Sequence, residues 1–224
     1  MTGSDVADTV VFRDRRDAGR RLAPLVAAAH PVAPVVYGIA RGGVPVAAAI
    51  ADALGAPLDV VLVRKVGAPG QREYAIGAVA EGGVRVLSAR ALERLRIPHA
   101  QARDLLAEVE TELAALGQRF GASRARVVSP AGRTAVIVDD GLATGLTALA
   151  AVRSLRVRGA SRVFIAAPVA SRDAAESLRG EADAVVCFAE PEELWAVGYW
   201  YADFSPTTDE EVLELLRAGA AEST

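Results

Sequence analysis

The ten residues from 136 to 145, VIVDDGLATG, combine the residue types that bind a phosphorylated sugar. An apolar run that predicts a buried strand ends in two adjacent carboxylates, Asp139 and Asp140. A short turn bounded by Gly141 and Gly145 then leads into a helix. The amides of such a turn and the helix N-terminus attract a phosphate, and paired carboxylates accept hydrogen bonds from sugar hydroxyls or hold a hydrated magnesium ion. The string therefore predicts a ribose 5-phosphate site. The simpler alternative is a tight strand-to-helix turn whose aspartates only cap the helix.

Two further groups of residues offer positive charge or backbone amides after predicted strands. The sequence GIARGG, residues 38 to 43, places two glycines beside Arg41. Arg64 and Lys65 end the next predicted strand, and Lys65 is the single lysine among 25 basic residues. A compact ammonium group at that position suits a polyanionic ligand. Two cations at a strand end are equally typical of a solvated surface.

Apolar runs that predict strands alternate with helical patterns along most of the chain. The predicted strands cover residues 33–39, 58–65, 134–139, 162–168 and 184–188. The predicted helices cover residues 14–29, 42–54, 145–158 and 172–179, with a last helix after Thr208. This alternation predicts an α/β fold with a mainly parallel, twisted sheet and helices on both faces. Ligands of such sheets bind at the carboxyl ends of the strands, so the loops after the predicted strands are expected to share one edge.

Three segments interrupt the alternation within what we expect to be a single domain over residues 1–224. Residues 66–83 contain five glycines and are too long for a passive loop, so they form either a flexible lid or partly a β-hairpin. Residues 98–120 predict a long polar helix inserted into the alternation. Residues 190–206 hold both tryptophans and predict a small hood over the sheet edge.

Composition excludes several classes of protein. The chain has 25 basic and 28 acidic residues, a net charge of −3 and no basic block, so nucleic acid is not an expected partner. Its longest apolar stretch, residues 44–63, is interrupted by two aspartates, so no membrane partner is expected. The single cysteine, Cys187, and the lack of an apolar leader predict a cytoplasmic protein. His30 and His99 lie far apart, which argues against a zinc site.

The string at residues 136–145 resembles the phosphoribosyl-pyrophosphate (PRPP) signature of the type I phosphoribosyltransferases, and the likeness extends from about Val35 to Phe204. The resemblance implies that family's fold and the transfer of ribose 5-phosphate from PRPP to a nitrogenous acceptor, with Mg²⁺ as cofactor and pyrophosphate as product. It implies that Asp139 and Asp140 contact the ribose hydroxyls and hold Mg²⁺ through water. The implied contacts of the 5-phosphate are Gly141, Leu142, Ala143, Thr144 and Gly145. Family members commonly dimerise, so the resemblance also admits a homodimer.

The same resemblance gives roles to the basic residues. It implies that Arg41, Gly42 and Gly43 hold the departing pyrophosphate through backbone amides, often beside a non-proline cis peptide bond. It also implies that Lys65 contacts the pyrophosphate as a catalytic group.

Members of the family close a long loop over the reacting sugar, because water would trap an oxocarbenium-like transition state. Residues 66–83 correspond to this loop. The candidate contacts are Arg72, Glu73 and Tyr74, with Tyr74 as a catalytic residue. Packing within a hairpin is the alternative role of Tyr74.

The segment LWAVGY, followed by Asp203, resembles the region where hypoxanthine-guanine enzymes stack an aromatic ring on the base. Trp195 and Asp203 are therefore the predicted acceptor-binding residues, and stacking of this kind is worth about 1–3 kcal/mol. Packing within the hood or a dimer contact would explain Trp195 equally well.

Two departures from the family pattern leave the acceptor unassigned. Hypoxanthine-guanine enzymes have a third aspartate in the phosphate loop, where this chain has Ala143. They also place a lysine after the following strand, where this chain has Ala170 and Ser171. The alternative to an enzyme is a regulatory protein that senses PRPP or a nucleotide through the same pocket without chemistry.

Overall fold

The structure, a computed structural model, describes residues 11–123 and 127–221. The strands are β1 (Val35–Ile39), β2 (Leu58–Val61), β3 (Val63–Ala68), β4 (Gln71–Ala80), β5 (Val84–Leu87), β6 (Thr134–Val138), β7 (Arg162–Val169) and β8 (Ala184–Ala189). The helices are α1 (Arg15–Ala28), α2 (Gly43–Leu54), α3 (Ala89–Leu95), α4 (His99–Ser123), α5 (Leu146–Val157), α6 (Arg172–Arg179) and α7 (Asp209–Ala221), with a 3₁₀ helix at Val197–Trp200. The predicted α/β fold is confirmed.

The main sheet is parallel and has the strand order β2-β1-β6-β7-β8. Strands β1 and β6 are neighbours near its middle, and Gly38 of β1 pairs with Val138 of β6. Both strands therefore end at the same edge, and the loops that follow them lie side by side.

Helices cover both faces of this sheet, as predicted. On β6, Val136 and Val138 face the core that includes α1, α2 and α7, whereas Ala135 and Ile137 face the core that includes α5 and α6. All five residues of β6 are buried. A strand covered on both faces needs apolar residues at every position, which explains the continuous apolar run in the sequence.

The predicted strand over residues 58–65 is wrong, because the structure divides this segment between two sheets. Strand β2 ends at Val61, and β3 begins a separate antiparallel sheet with the order β3-β4-β5. Only three of the six residues of β3 are buried, namely Val63, Val66 and Ala68, so the strand is partly covered rather than fully buried. It packs against α4 and α5. Most of residues 66–83 consequently form a β-hairpin, in which β3 and β4 are joined by a turn at residues 69–70.

The long inserted helix is present as α4, and it ends at Ser123, three residues beyond the predicted end. Its apolar side chains, among them Leu113 and Leu116, pack against β3 and β4. No helix in the described ranges has both the length and the apolar character needed to cross a membrane.

Candidate active site

The loops after β1 and β6 touch each other at the carboxyl edge of the main sheet. The Ala40–Arg41 peptide bond, just after β1, is cis. A Cβ atom added to Gly42 would lie 2.2 Å from Oδ2 of Asp140, so only glycine allows this approach without a shift of the carboxylate. The structure thus brings together the two loops that the sequence predicted for pyrophosphate and for ribose.

The two carboxylates differ in their surroundings. Oδ2 of Asp140 accepts a hydrogen bond from Nε of Arg15 at 2.8 Å and forms an ion pair with Nη2, also at 2.8 Å. Asp139 accepts one hydrogen bond, from the backbone N–H of Asp140 to Oδ1 at 3.0 Å. Both residues are half-buried. Asp139 is therefore the member of the pair whose carboxylate remains available to a ligand.

Burial and mutual repulsion act on the ionisation of the pair. Burial raises the pKa of Asp139 well above its ordinary value, and the negative charge of Asp140 raises it further. Burial also raises the pKa of Asp140, although the Arg15 guanidinium opposes this increase. A cation or several hydroxyl donors next to Asp139 would favour its ionised form, which is the effect expected of a ribose or a hydrated metal ion.

Arg15 is an important site residue that the sequence analysis missed. Besides its contact with Asp140, its Nη1 donates to the carbonyl oxygen of Ser205 at 2.7 Å, and its guanidinium stacks on the ring of Phe204 at 4.0 Å from the ring centre. The Tyr201 hydroxyl donates to the backbone carbonyl oxygen of Asp140 at 2.6 Å. Contacts from helix α1 and from the segment that contains Tyr201 therefore hold the acidic pair in position.

The turn after the acidic pair leaves several amides exposed at the start of α5. Gly145 has a φ of +72°, a left-handed conformation that favours glycine, and it is the N-cap of α5. Within the described part of the chain, the N–H groups of Ala143, Thr144 and Gly145 have no hydrogen-bond acceptor. Unpaired amides at a helix N-terminus form a typical phosphate cradle. We refer to residues 141–145 as the phosphate loop.

Leu142 does not fit the contact set that the resemblance implied. Its side chain is buried, and its N–H donates to the carbonyl oxygen of Val169 at 2.9 Å. The amide is therefore already committed to the end of β7 and is not available to a phosphate. Gly141 is also closely packed, since a Cβ atom there would lie 2.4 Å from Val197 Cγ1. These two residues shape the phosphate loop, while residues 143–145 present its amides.

The structure places Tyr74 opposite the phosphate loop. A cavity of about 630 Å³ is lined by Tyr74 of β4 and by Ala143 and Thr144. Tyr74 of the hairpin therefore borders the same cavity as the phosphate loop, where the sequence predicted a covering segment. The side chain of Glu73, another candidate contact, lies outside the described part of the structure.

Lys65 lies elsewhere than expected. It belongs to β3 of the antiparallel sheet, opposite Ala78 of β4, and not to the end of a main-sheet strand. It is exposed, and it is not among the residues that line the cavity beside Tyr74. The error follows from the division of the predicted strand at Leu62.

Arg41 extends away from the sheet edge towards the beginning of α7. Its Nη1 lies 3.5 Å from Oδ1 of Asp209, and half of its side chain is exposed. Gly42 and Gly43 follow directly, at the start of α2. The arrangement leaves Arg41 solvent-accessible beside the predicted pyrophosphate loop.

The two predicted acceptor contacts are found in different surroundings. Trp195 is 75% exposed and precedes the 3₁₀ helix. Oδ1 of Asp203 accepts hydrogen bonds from the Ser205 hydroxyl at 2.6 Å and from its backbone N–H at 2.9 Å, which lower the pKa of Asp203. Asp203 lines a small cavity beside the start of α1, and Trp195 is not among the residues of that cavity. The structure does not bring these two side chains together.

The residues at the acidic pair fit a magnesium ion in part. Mg²⁺ prefers oxygen ligands, retains several waters and is often bound by one or two carboxylates together with substrate phosphates. Asp139 offers such a carboxylate. Arg15 occupies Oδ2 of Asp140, which leaves Oδ1 for the metal ion or for a metal-bound water. Among the described residues, no group of three His, Cys, Asp or Glu side chains could hold a metal ion. A bound Mg²⁺ would therefore need phosphate oxygens and water as its other ligands.

A parallel α/β sheet whose carboxyl edge joins an acidic pair to a phosphate loop is the arrangement that the sequence predicted for a ribose 5-phosphate site. A family model described as the phosphoribosyl transferase domain matches residues 26–203, most of the chain. The chain belongs to the phosphoribosyl transferase family, as the resemblance of residues 136–145 implied.

Similar proteins support the same assignment. Two Mycobacterium tuberculosis proteins, from strains CDC 1551 and H37Rv and each named "Putative phosphoribosyl transferase", are 45% identical over 206 residues. The match covers 92% of this chain and 46% of each relative, so the chain spans about half of their length. The crystal structure of TT1426 from Thermus thermophilus has a TM-score of 0.76 and 44% identity, with 92% of this chain and 97% of that chain covered.

Proposed function

We propose that this chain transfers ribose 5-phosphate from PRPP to a nitrogenous acceptor and releases pyrophosphate, with Mg²⁺ as cofactor. The proposal depends chiefly on one arrangement, in which an available carboxylate, Asp139, is followed directly by a loop with unpaired amides at residues 143–145. Ribose 5-phosphate carries a diol, which can donate hydrogen bonds to the carboxylate, and a phosphate dianion, which can accept hydrogen bonds from the amides. The phosphoribosyl transferase family of the chain supports this substrate class.

In the proposed reaction, the phosphate loop anchors the 5-phosphate, and Asp139 accepts hydrogen bonds from the ribose hydroxyls. Binding at these remote groups holds the anomeric carbon in place and can be used to stabilise the transition state. Asp140 supports this geometry indirectly, because Arg15 and Tyr201 hold it in position.

The leaving pyrophosphate would lie against the amides of Gly42 and Gly43, next to Arg41. When bound, Mg²⁺ supplies charge neutralisation of the pyrophosphate. The hairpin residue Tyr74 lines the same cavity as Ala143 and Thr144, which supports a role for it in excluding water from the reacting carbon. Lys65 is left out of this scheme because it lies within β3.

The test is pyrophosphate release from PRPP and Mg²⁺ with a panel of purines, pyrimidines and small amines. We expect release that depends on one acceptor class and falls at least about tenfold in Asp139→Asn, through the loss of a charged hydrogen-bond acceptor. The matched control is Asp52→Asn, which changes an exposed aspartate of α2. PRPP binding without release for any acceptor would instead indicate a regulatory sensor, and release without an acceptor would indicate a hydrolase.

A further inference from the structure

The cavity beside the phosphate loop contains three arginines for which the proposed reaction has no role. Arg90 and Arg94 belong to α3, and Arg172 begins α6 on the opposite wall. We call this cavity of about 630 Å³ the arginine cleft. Its volume lies within the range of pockets that hold a whole small molecule, and it is far larger than one phosphate needs.

The positive charge of the arginine cleft is only weakly compensated. Arg90 approaches Asp173 at 3.9 Å, but both side chains are more than 80% exposed, and exposed pairs of this kind contribute little. Arg172 lies 3.4 Å from Glu192. Arg94 has no ion-pair partner within the described residues. The guanidinium groups are therefore free to exchange these contacts for a stronger anionic ligand.

Polar contacts fix the wall that carries Arg172. The Ser171 hydroxyl donates to the carbonyl oxygen of Ala143 at 2.7 Å, and it also accepts from the N–H of Ala174 as the cap of α6. Residue 143 of the phosphate loop and the start of α6 are thus joined directly. An anion in the arginine cleft would lie next to a bound ribose 5-phosphate.

The two anionic groups of PRPP, its 5-phosphate and its pyrophosphate, have proposed contacts other than these three arginines. The 5-phosphate has the amides of residues 143–145. The pyrophosphate has the loop at Arg41, which does not line the arginine cleft. Ala143 and Thr144 line the same cleft, so the 5-phosphate would occupy the end of the cleft at the phosphate loop. Arg94 and Arg172 then remain for an anionic group of the other substrate.

We infer that the arginine cleft binds the acceptor and that this acceptor carries a carboxylate or a phosphate. This inference rests on the proposed function, because it names the substrate class of the same site. Glu192 lines the cleft and belongs to residues 190–206, so the segment with the predicted stacking residue Trp195 borders it. Arginine is well suited to the task because its planar guanidinium binds either anion through two parallel hydrogen bonds.

The experiment compares paired probes that differ in one anionic group, orotate with uracil for a carboxylate and adenosine monophosphate with adenosine for a phosphate. Each probe is titrated calorimetrically into the protein saturated with ribose 5-phosphate. We expect one charged member to bind at least about tenfold more tightly than its neutral partner, the effect of a charged hydrogen bond. The preference should weaken as salt is raised from about 50 to about 500 mM, because the arginines are exposed.

Arg94→Gln and Arg172→Gln should each reduce this preference severalfold and leave the affinity for ribose 5-phosphate unchanged. Arg103→Gln, which changes an exposed arginine of α4, is the matched control. Equal binding of charged and neutral probes would overturn the inference. So would a loss of ribose 5-phosphate affinity in the two variants with the preference intact, because the arginines would then serve the sugar phosphate.

Turnover separates this inference from the proposed function. If a charged probe is preferred but no acceptor gives pyrophosphate, the anionic subsite stands and the transferase proposal fails. If only neutral acceptors give pyrophosphate, the transferase proposal stands and the anionic acceptor is wrong.

Discussion

Replacement of Arg15 by methionine removes the only cation that contacts the acidic pair among the described residues, while it keeps most of the apolar length of the side chain. Arg15 and Asp140 are 11% and 17% exposed, and Nε and Nη2 each lie 2.8 Å from the same carboxylate oxygen. Breaking a fully buried pair of this kind costs about 3–5 kcal/mol, because the remaining charge is left uncompensated. Partial exposure reduces this cost, and we expect a loss of about 3 kcal/mol in the free energy of unfolding.

This loss should appear as a decrease of roughly 6–12 °C in Tm, since 1 kcal/mol corresponds to about 2–4 °C for a domain of this size. The assay is thermal unfolding followed by circular dichroism. Arg20→Met is the matched control, because Arg20 is exposed and lies 3.6 Å from Asp17, and an exposed pair of this kind is worth about 0–1 kcal/mol.

The effect should depend on pH with a defined sign. Without Arg15, the pKa of Asp140 is expected to rise further above its ordinary value, so the uncompensated charge is present only above that raised pKa. The destabilisation should therefore be full at neutral pH and shrink as pH falls and Asp140 becomes protonated. The double variant Arg15→Met with Asp140→Asn should recover about 1–3 kcal/mol at neutral pH. A Tm decrease no larger than that of Arg20→Met, or one that does not change with pH, would refute the reasoning.

Three further predictions concern the remaining site residues. Gly42→Ala places a methyl group 2.2 Å from the Asp140 carboxylate and should lower the free energy of unfolding by about 1–3 kcal/mol. The control Gly121→Ala, which meets open space in α4, should be neutral or stabilising. Equal effects of the two variants on Tm would contradict the close contact. Asp139→Asn should increase the free energy of unfolding at neutral pH while it lowers pyrophosphate release. The pKa of Asp139 is raised in the folded protein, so ionisation of this carboxyl disfavours folding once pH rises above the pKa of the unfolded state. Lower stability of the variant at pH 7 would show that the account of the pair is wrong. Trp195→Ala should raise the acceptor KM about 5- to 150-fold through loss of stacking, with the PRPP KM and Tm unchanged. An unchanged acceptor KM together with a change from dimer to monomer in sedimentation would identify a dimer contact instead.

Much of the fold could be predicted because the parallel strands are buried on both faces. The residues of β6 form an unbroken apolar run, and the acidic pair and phosphate loop follow it in the chain without a gap. The residues proposed to bind the ligand are adjacent in sequence there, so residues 136–145 predicted both the strand end and a ligand class. The family match confirms the family that this string indicated.

What could not be predicted depends on contacts between distant parts of the chain. The apolar run around Leu62 does not mark the point where the backbone leaves one sheet for another, and Lys65 was misplaced for that reason. Arg15 contacts a carboxylate 125 positions away, although its local sequence is typical of a solvated helix. The amide of Leu142 is unavailable because β7 ends beside it, which only the assembled sheet reveals.

The most direct test of the central claim is the affinity of the protein for ribose 5-phosphate compared with ribose and with 2-deoxyribose 5-phosphate, measured by calorimetry. We predict that ribose 5-phosphate binds at least about a hundredfold more tightly than ribose, because several amides of residues 143–145 receive the phosphate. We predict that 2-deoxyribose 5-phosphate binds about tenfold less tightly than ribose 5-phosphate, because Asp139 loses one hydroxyl donor. Equal affinities for all three sugars would contradict the account.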